Sequence, residues 1–185
     1  MMQFCPACGE NVETYVVDRH GTKEVCCMHC GMIVEGIASL KAVPAGLAII
    51  ADDSPVIRER LKEMLLSEGL ATEVLTSKDG FDFISVFTSK VKANQAVSLI
   101  VLDVEMPMLN GVNAAMAIRA LEKGIPIDPT PILFFTSQKC DEHFQKVLAY
   151  CKPAEYVNKG VSTTPELLTS RVSQVARVLL NQRSA

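Results

Sequence analysis

From residue 47 to residue 182 the chain alternates short, dense apolar runs with longer segments whose apolar positions return every three or four residues. The runs predict strands at 47–52, 72–76, 98–103, 131–136 and 155–158. The periodic segments predict helices at about 55–68, 79–92, 112–123, 141–151 and 164–182. The first helix carries the stripe Val56, Ile57, Arg60, Leu61, Met64 and Leu65, and the last carries Leu167, Leu168, Val172, Val175, Ala176 and Leu179. Val178 and Leu180 fall off that last stripe and are expected as ordinary exposed apolar residues, with a contact patch as the alternative. Asp79 and Asp141 stand where N-caps belong. Strict alternation of strand and helix specifies an α/β fold with a parallel sheet covered on both faces.

The strands end alike. Leu47–Ala51 runs into Asp52 and Asp53, and Val97–Leu102 runs into Asp103. Pro131–Phe135 runs into Thr136 and Ser137, and Glu155–Asn158 runs into Lys159. In a parallel sheet those ends lie along one edge, where ligands bind. Three carboxylates there repel one another unless a cation sits among them. Oxygen donors suit a hard cation such as Mg²⁺. Taken singly, Thr136 reads equally as a capping hydroxyl and Lys159 as a solvated loop lysine.

Together these segments resemble the response-regulator receiver (CheY-like) family over roughly residues 46–185. Asp52-Asp53-Ser54-Pro55-Val56-Ile57-Arg58 resembles its acidic pair and first helix. Asp103-Val104-Glu105-Met106-Pro107-Met108-Leu109-Asn110-Gly111 resembles its phosphoacceptor segment, D-x-x-M-P-x-x-x-G. The resemblance implies a flavodoxin-like (βα)5 doubly wound sheet of order 2-1-3-4-5. It implies Mg²⁺ held by Asp53 and Asp103, with Asp52 reached through water and the backbone carbonyl of Glu105 as a further ligand. Asp103 is then the phosphoryl acceptor, and Lys159 neutralises phosphoryl charge. Thr136, rather than Ser137, donates to a phosphoryl oxygen, and Tyr156 is the aromatic that follows it. Such a switch acts on the face of the fourth helix, fifth strand and last helix, and the chain's end at Ala185 leaves that face to another protein or a second copy. The family often has proline after its lysine; here Gly160 stands there.

The N-terminal segment has a different chemistry. Cys5-Pro6-Ala7-Cys8-Gly9 and Cys27-Met28-His29-Cys30-Gly31 repeat C-x-x-C-G with 18 residues between the inner cysteines. This spacing reads as a closed, structural Zn²⁺ site of four thiolates, and the segment resembles a zinc ribbon. A hairpin is expected from 13–18 and 23–26, turning at 19–22, with a third strand over 31–35. Cys26 and His29 are competing ligands; Cys27 is preferred because it keeps the spacing to Cys30. A redox pair and an iron site are the alternatives for the same cysteines. About 40 residues bury too little to fold without such a staple. The expected division is ribbon 1–38, joint 39–46 and receiver 47–185.

Composition narrows the function. A formal charge of −3 argues against a nucleic-acid partner, and Glu10, Glu13, Asp18, Glu24 and Glu35 outnumber Arg19, Lys23 and Lys41 around the ribbon. No apolar run approaches a membrane span, and no secretory leader opens the chain, so a cytoplasmic protein is expected. Seven cysteines are then thiols or metal ligands. His20 and His29 fall in the ribbon and His143 in a helix, so no serine–histidine pair supports a hydrolase. The expectation is a non-enzymatic phosphorelay switch without a DNA-binding output domain. Its partners are a sensor histidine kinase or phosphotransfer protein, a downstream protein target and, as one possibility, a second copy. The rival reading is a phosphate-independent ribbon scaffold carrying a relic receiver.

Overall fold

The computed structural model describes residues 2–19, 21–37, 40, 45–125, 127–161 and 164–182. His20, Lys41, Ala185 and most of the expected joint at 39–46 lie outside the described residues.

Five parallel strands form the main sheet: β4 (Ala45–Ala51), β5 (Ala71–Ser77), β6 (Val97–Asp103), β7 (Ile132–Thr136) and β8 (Ala154–Asn158). Their spatial order is β5-β4-β6-β7-β8, the expected 2-1-3-4-5. The connecting helices are α1 (Pro55–Ser67), α2 (Gly80–Lys92), α3 (Gly111–Gly124), α4 (Glu142–Tyr150) and α5 (Pro165–Gln182). β6 and β7 are almost wholly buried, as strands covered on both faces must be. The register sets the ligand edge: Asp103 pairs with Phe135, and Thr136 pairs with Asn158.

Helix starts follow side-chain caps. Ser54, Asp79, Asn110 and Asp141 each accept from the backbone N–H three residues on, in α1, α2, α3 and α4 respectively. Pro55 opens α1, where its missing N–H is harmless. The α1 stripe buries only Leu61, Met64 and Leu65; Val56 is exposed at the helix's first turn. Val178 and Leu180, expected outside, are buried. α5 is contacted by β7, β8 and α1, so more than one face is covered.

The N-terminal segment is a three-stranded antiparallel sheet in the order β1-β2-β3: β1 (Met2–Cys5), β2 (Glu10–Arg19) and β3 (Thr22–Cys27). The β2–β3 hairpin matches the expectation, whereas β1 was not foreseen. The strand expected over 31–35 is instead an isolated bridge between Cys26 and Ile33. The two C-x-x-C-G knuckles fold identically. Gly9 N–H donates to the Cys5 carbonyl at 2.7 Å and Gly31 N–H to the Cys27 carbonyl at 2.9 Å, each glycine at φ 78°. That positive φ is why glycine ends each knuckle.

This small sheet is not free of the large one. Its residues Cys5, Ala7, Cys8, Val12 and Cys27 belong to the same contiguous core as the parallel strands. The chain's own N-terminal unit thus packs against part of the α4, β8 and α5 face, through Gln145, Tyr156 and Arg171.

Candidate functional site

Asp52 follows β4, Asp103 ends β6, and both carboxylates are 1 % exposed; Asp53 is exposed. One oxygen of each of the three lies within 4.8 Å of the others. Lys159, immediately past β8, brings Nζ to 2.8 Å from Asp103 Oδ2 and 3.8 Å from Asp52 Oδ2. Asp52 Oδ2 is buried without a hydrogen bond. Burial, ahead of other causes, pushes Asp52 up to about 6, and burial likewise raises Asp103. A buried carboxylate oxygen without a hydrogen bond, beside two further carboxylates, is a donor set that fits a hard divalent cation. Asp53 and Asp103 offer direct oxygens and Asp52 a third.

Backbone geometry fixes Asp103. Glu105 N–H donates to Asp103 Oδ1 at 3.1 Å. Gly111 N–H donates to the Val104 carbonyl at 3.0 Å, closing the loop between β6 and α3. A Cβ on Gly111 would stand 2.0 Å from the Asp103 carbonyl oxygen, so only glycine fits there. Arg58 Nη1 donates to the carbonyls of Asp52 at 2.7 Å and Asp53 at 3.2 Å, fixing the loop that carries them.

Thr136 is fully buried at the end of β7, and its Oγ1 accepts from Gln138 N–H at 3.1 Å. Ser137 Oγ instead donates to the Glu105 carboxylate. Tyr156, expected as the aromatic that follows Thr136, is buried: its ring meets Phe144 edge-on at 5.9 Å, and its hydroxyl donates to Cys8 Sγ at 3.1 Å. Gly160 does what proline cannot, donating its N–H to Asn158 Oδ1 at 2.8 Å.

The second cluster is Cys5, Cys8, Cys27 and Cys30, one sulfur of each within 4.8 Å of the others. Cys5 and Cys30 sulfurs are 3.7 Å apart, and Cys8 and Cys27 are 3.8 Å apart. Tetrahedral sulfurs around zinc at ~2.3 Å lie ~3.8 Å from one another, so the four residues fit that group. Cys30 is pushed up, its thiol proton held by Cys27, while the hydrogen bond from Cys30 holds Cys27 down. Backbone N–H groups of Cys8 and His29 point at Cys5 Sγ and Cys27 Sγ. Among the described residues, neither Cys26 nor the exposed His29 joins the cluster.

Two residues escaped the sequence reading. Arg171 is 1 % exposed; Nε donates to the Pro6 carbonyl at 2.8 Å, Nη2 to Ala7 at 2.9 Å and Nη1 to Asn158 at 2.8 Å. Its signal was present: Leu168, Val172 and Val175 place it among the apolar positions of α5. Asn158 donates its N–H to the Ala7 carbonyl at 2.8 Å and Nδ2 to the Gln138 carbonyl at 3.0 Å. It had no signal beyond its place at a strand end.

Comparisons with known proteins bear on the family and the fold. The response regulator receiver domain family matches residues 48–172. A protein-glutamate methylesterase/protein-glutamine glutaminase from Haloarcula marismortui is 30% identical over 139 residues, 71% of this chain and 34% of that protein. A namesake from Methanococcus maripaludis is 35% identical over 89 residues, 48% of this chain and 21% of that one. The chain thus spans about a third or less of the length of these curated relatives. The response regulator domain of Thermotoga maritima CheB shares the fold at 21% identity and TM-score 0.56, over 73% of this chain and 96% of that one. The response regulator protein TrrA of the same organism, in complex with Mg²⁺ and BeF, is 29% identical with TM-score 0.51, over 70% of this chain and 98% of that one. With its matched span, its strand order and its acids at the carboxyl edge, this chain belongs to the response regulator receiver domain family.

Proposed function

We propose that the chain is a phosphorylation-controlled response regulator that accepts a phosphoryl group on Asp103 and signals through protein contacts. The observation that carries this reading is Lys159 Nζ 2.8 Å from Asp103, within the Asp52, Asp53 and Asp103 cluster. An Asp103 oxygen attacks the donor phosphorus; the new P–O bond forms as the bond to the leaving group breaks, and the leaving group departs with that electron pair. Mg²⁺, when bound by Asp53, Asp103 and the Glu105 carbonyl, with Asp52 behind a water, supplies positive charge for the phosphoryl oxygens. Lys159 neutralises the added charge as a point cation. Thr136 donates its hydroxyl to a phosphoryl oxygen, and Tyr156 responds to its movement. Attack by water returns the aspartate and releases phosphate, so the chain turns over nothing but its own acyl phosphate.

The donor is a sensor histidine kinase or a phosphotransfer protein, and the receiver of the signal is another protein rather than nucleic acid. We divide the chain into a ribbon at 1–38, a joint at 39–46 and a receiver at 47–185. Cys5, Cys8, Cys27 and Cys30 hold one structural Zn²⁺. Seven cysteines, none in a disulfide, suit a reducing cytoplasm.

A small acyl phosphate with Mg²⁺ tests the switch: intact mass should show one added phosphoryl group in the parent and none in Asp103→Asn. Equal modification of both proteins refutes the assignment. Elemental analysis tests the ribbon, with one zinc per chain expected and a metal-free protein contradicting it.

A further inference from the structure

We infer that Asn158 is a positioning residue for phosphoryl transfer: its carboxamide ties the loop after β7 to the turn after β8 and so aims Thr136 and Lys159 at Asp103. The inference rests on the reading of Asp103 as phosphoryl acceptor proposed above.

Asn158 ends β8, pairs with Thr136 and is 2 % exposed. A carboxamide buried there needs partners for both its donor and its acceptor end. Nδ2 donates to the Gln138 carbonyl at 3.0 Å, and Oδ1 accepts from Gly160 N–H at 2.8 Å. These partners belong to different segments: Gln138 follows β7, and Gly160 follows β8. One side chain therefore bridges the segment that carries Thr136 and the segment that carries Lys159.

Each end of the bridge acts on one of those residues. Gln138, held by its carbonyl, donates its N–H to Thr136 Oγ1 at 3.1 Å. A hydroxyl oxygen that already accepts keeps its own hydrogen for another acceptor. The Thr136 hydroxyl is thereby set to donate, which is what an incoming phosphoryl oxygen requires. At the other end, Arg171 Nη1 donates to the Asn158 carbonyl at 2.8 Å, while Asn158 Oδ1 holds the Gly160 N–H. The peptide units on both sides of Lys159 are thus fixed. Lysine is a point charge on a flexible stem, so a fixed root limits where its ammonium can go. From that root Nζ meets Asp103 Oδ2 at 2.8 Å, with the Phe135 ring centroid 5.2 Å away. The backbone bonds of Asn158 to Ala7 and Arg171 do not depend on its side chain, so a substitution there removes the bridge alone.

The test uses the full chain with Mg²⁺ and a small acyl phosphate, the initial rate of modification being followed against donor concentration. Asn158→Leu should lower the maximal rate about tenfold or more, within the roughly hundredfold that a displacement of about 1 Å can cost. Calorimetry should show Mg²⁺ bound no more weakly than by the parent, because Asp52, Asp53 and Asp103 are untouched. In a Thr136→Ala/Lys159→Met background the same change should cost less than about twofold, since a residue that acts through two others has nothing left to position. A parent-like maximal rate, a full loss repeated in that background, or Mg²⁺ binding that weakens along with the rate overturns the inference and leaves the reading of Asp103 standing. Gly160→Pro removes only the N–H that Asn158 Oδ1 accepts and serves if Asn158→Leu does not fold. Its maximal rate should fall by about threefold, one end of the bridge being kept, and an unchanged rate overturns the inference. A parent chain that takes up no phosphoryl group overturns the reading of Asp103 itself.

Discussion

Lys159 Nζ lies 2.8 Å from Asp103 Oδ2, and the carboxylate it meets is shut away from solvent. That ammonium stands against the same carboxylates that fit a divalent cation, and the two positive charges repel. Lys159→Met should raise Mg²⁺ affinity roughly tenfold, equivalent to ~1.4 kcal/mol of relieved repulsion. It should also reduce the phosphoryl group retained at Asp103. Calorimetric Mg²⁺ titration checks the first effect; weaker binding in the variant would contradict the placement of the cation.

Asp52 sets a pH dependence. Burial first, then the Asp103 charge, raises its carboxyl from 3.8 to about 6. Between those values the folded chain binds more protons than the unfolded chain, so stability falls as pH rises through the window. Added Mg²⁺ favours the charged carboxylate and should remove or reverse that fall. Asp52→Asn should lessen it without Mg²⁺, leaving the share of Asp103, which burial also raises. Urea unfolding at a series of pH values, with and without Mg²⁺, measures all three.

Gly111 is a steric prediction with an internal control. Gly111→Ala drives a Cβ into the Asp103 backbone and should cost about 3 kcal/mol, with slower modification of Asp103. A Cβ on Gly124, in the last turn of α3, meets nothing within 4 Å, so Gly124→Ala should stay within ~1 kcal/mol of the parent. Similar stabilities for the two variants would contradict the close approach.

Arg171→Met takes the guanidinium donors from the carbonyls of Pro6, Ala7 and Asn158, and leaves Ala7 only the Asn158 N–H. The expected cost is about 3 kcal/mol or more. Amide exchange should rise through β1–β3 while β4 and β6 stay protected. Lysine at this position cannot reproduce the planar fork and should rescue only part of the loss.

The strand–helix alternation, the acids at strand ends and the repeated C-x-x-C-G units were legible because each is a local pattern. The parallel sheet followed from alternation, its strand order from the family resemblance, and the acidic pocket from the ends of β4 and β6. β1 was not legible: four residues with one buried position carry almost no period. Burial of Val178 and Leu180, the role of Arg171 and the position of Tyr156 depend on contacts made far along the chain, Tyr156 and Cys8 being 148 positions apart. Periodicity reports which face of an element is buried, not what covers it. The packing of the knuckles onto β8 and α5 therefore needed the structure.

The central claim is that Asp103 receives the phosphoryl group. Acyl phosphates are reduced by borohydride, which converts the modified aspartate to homoserine. Incubation with a small acyl phosphate and Mg²⁺, followed by borohydride and peptide mass mapping, locates the acceptor. The account predicts homoserine at position 103 alone, lost when Mg²⁺ is omitted. Homoserine at Asp52 or Asp53, or none at any position from a demonstrably modified chain, would contradict it.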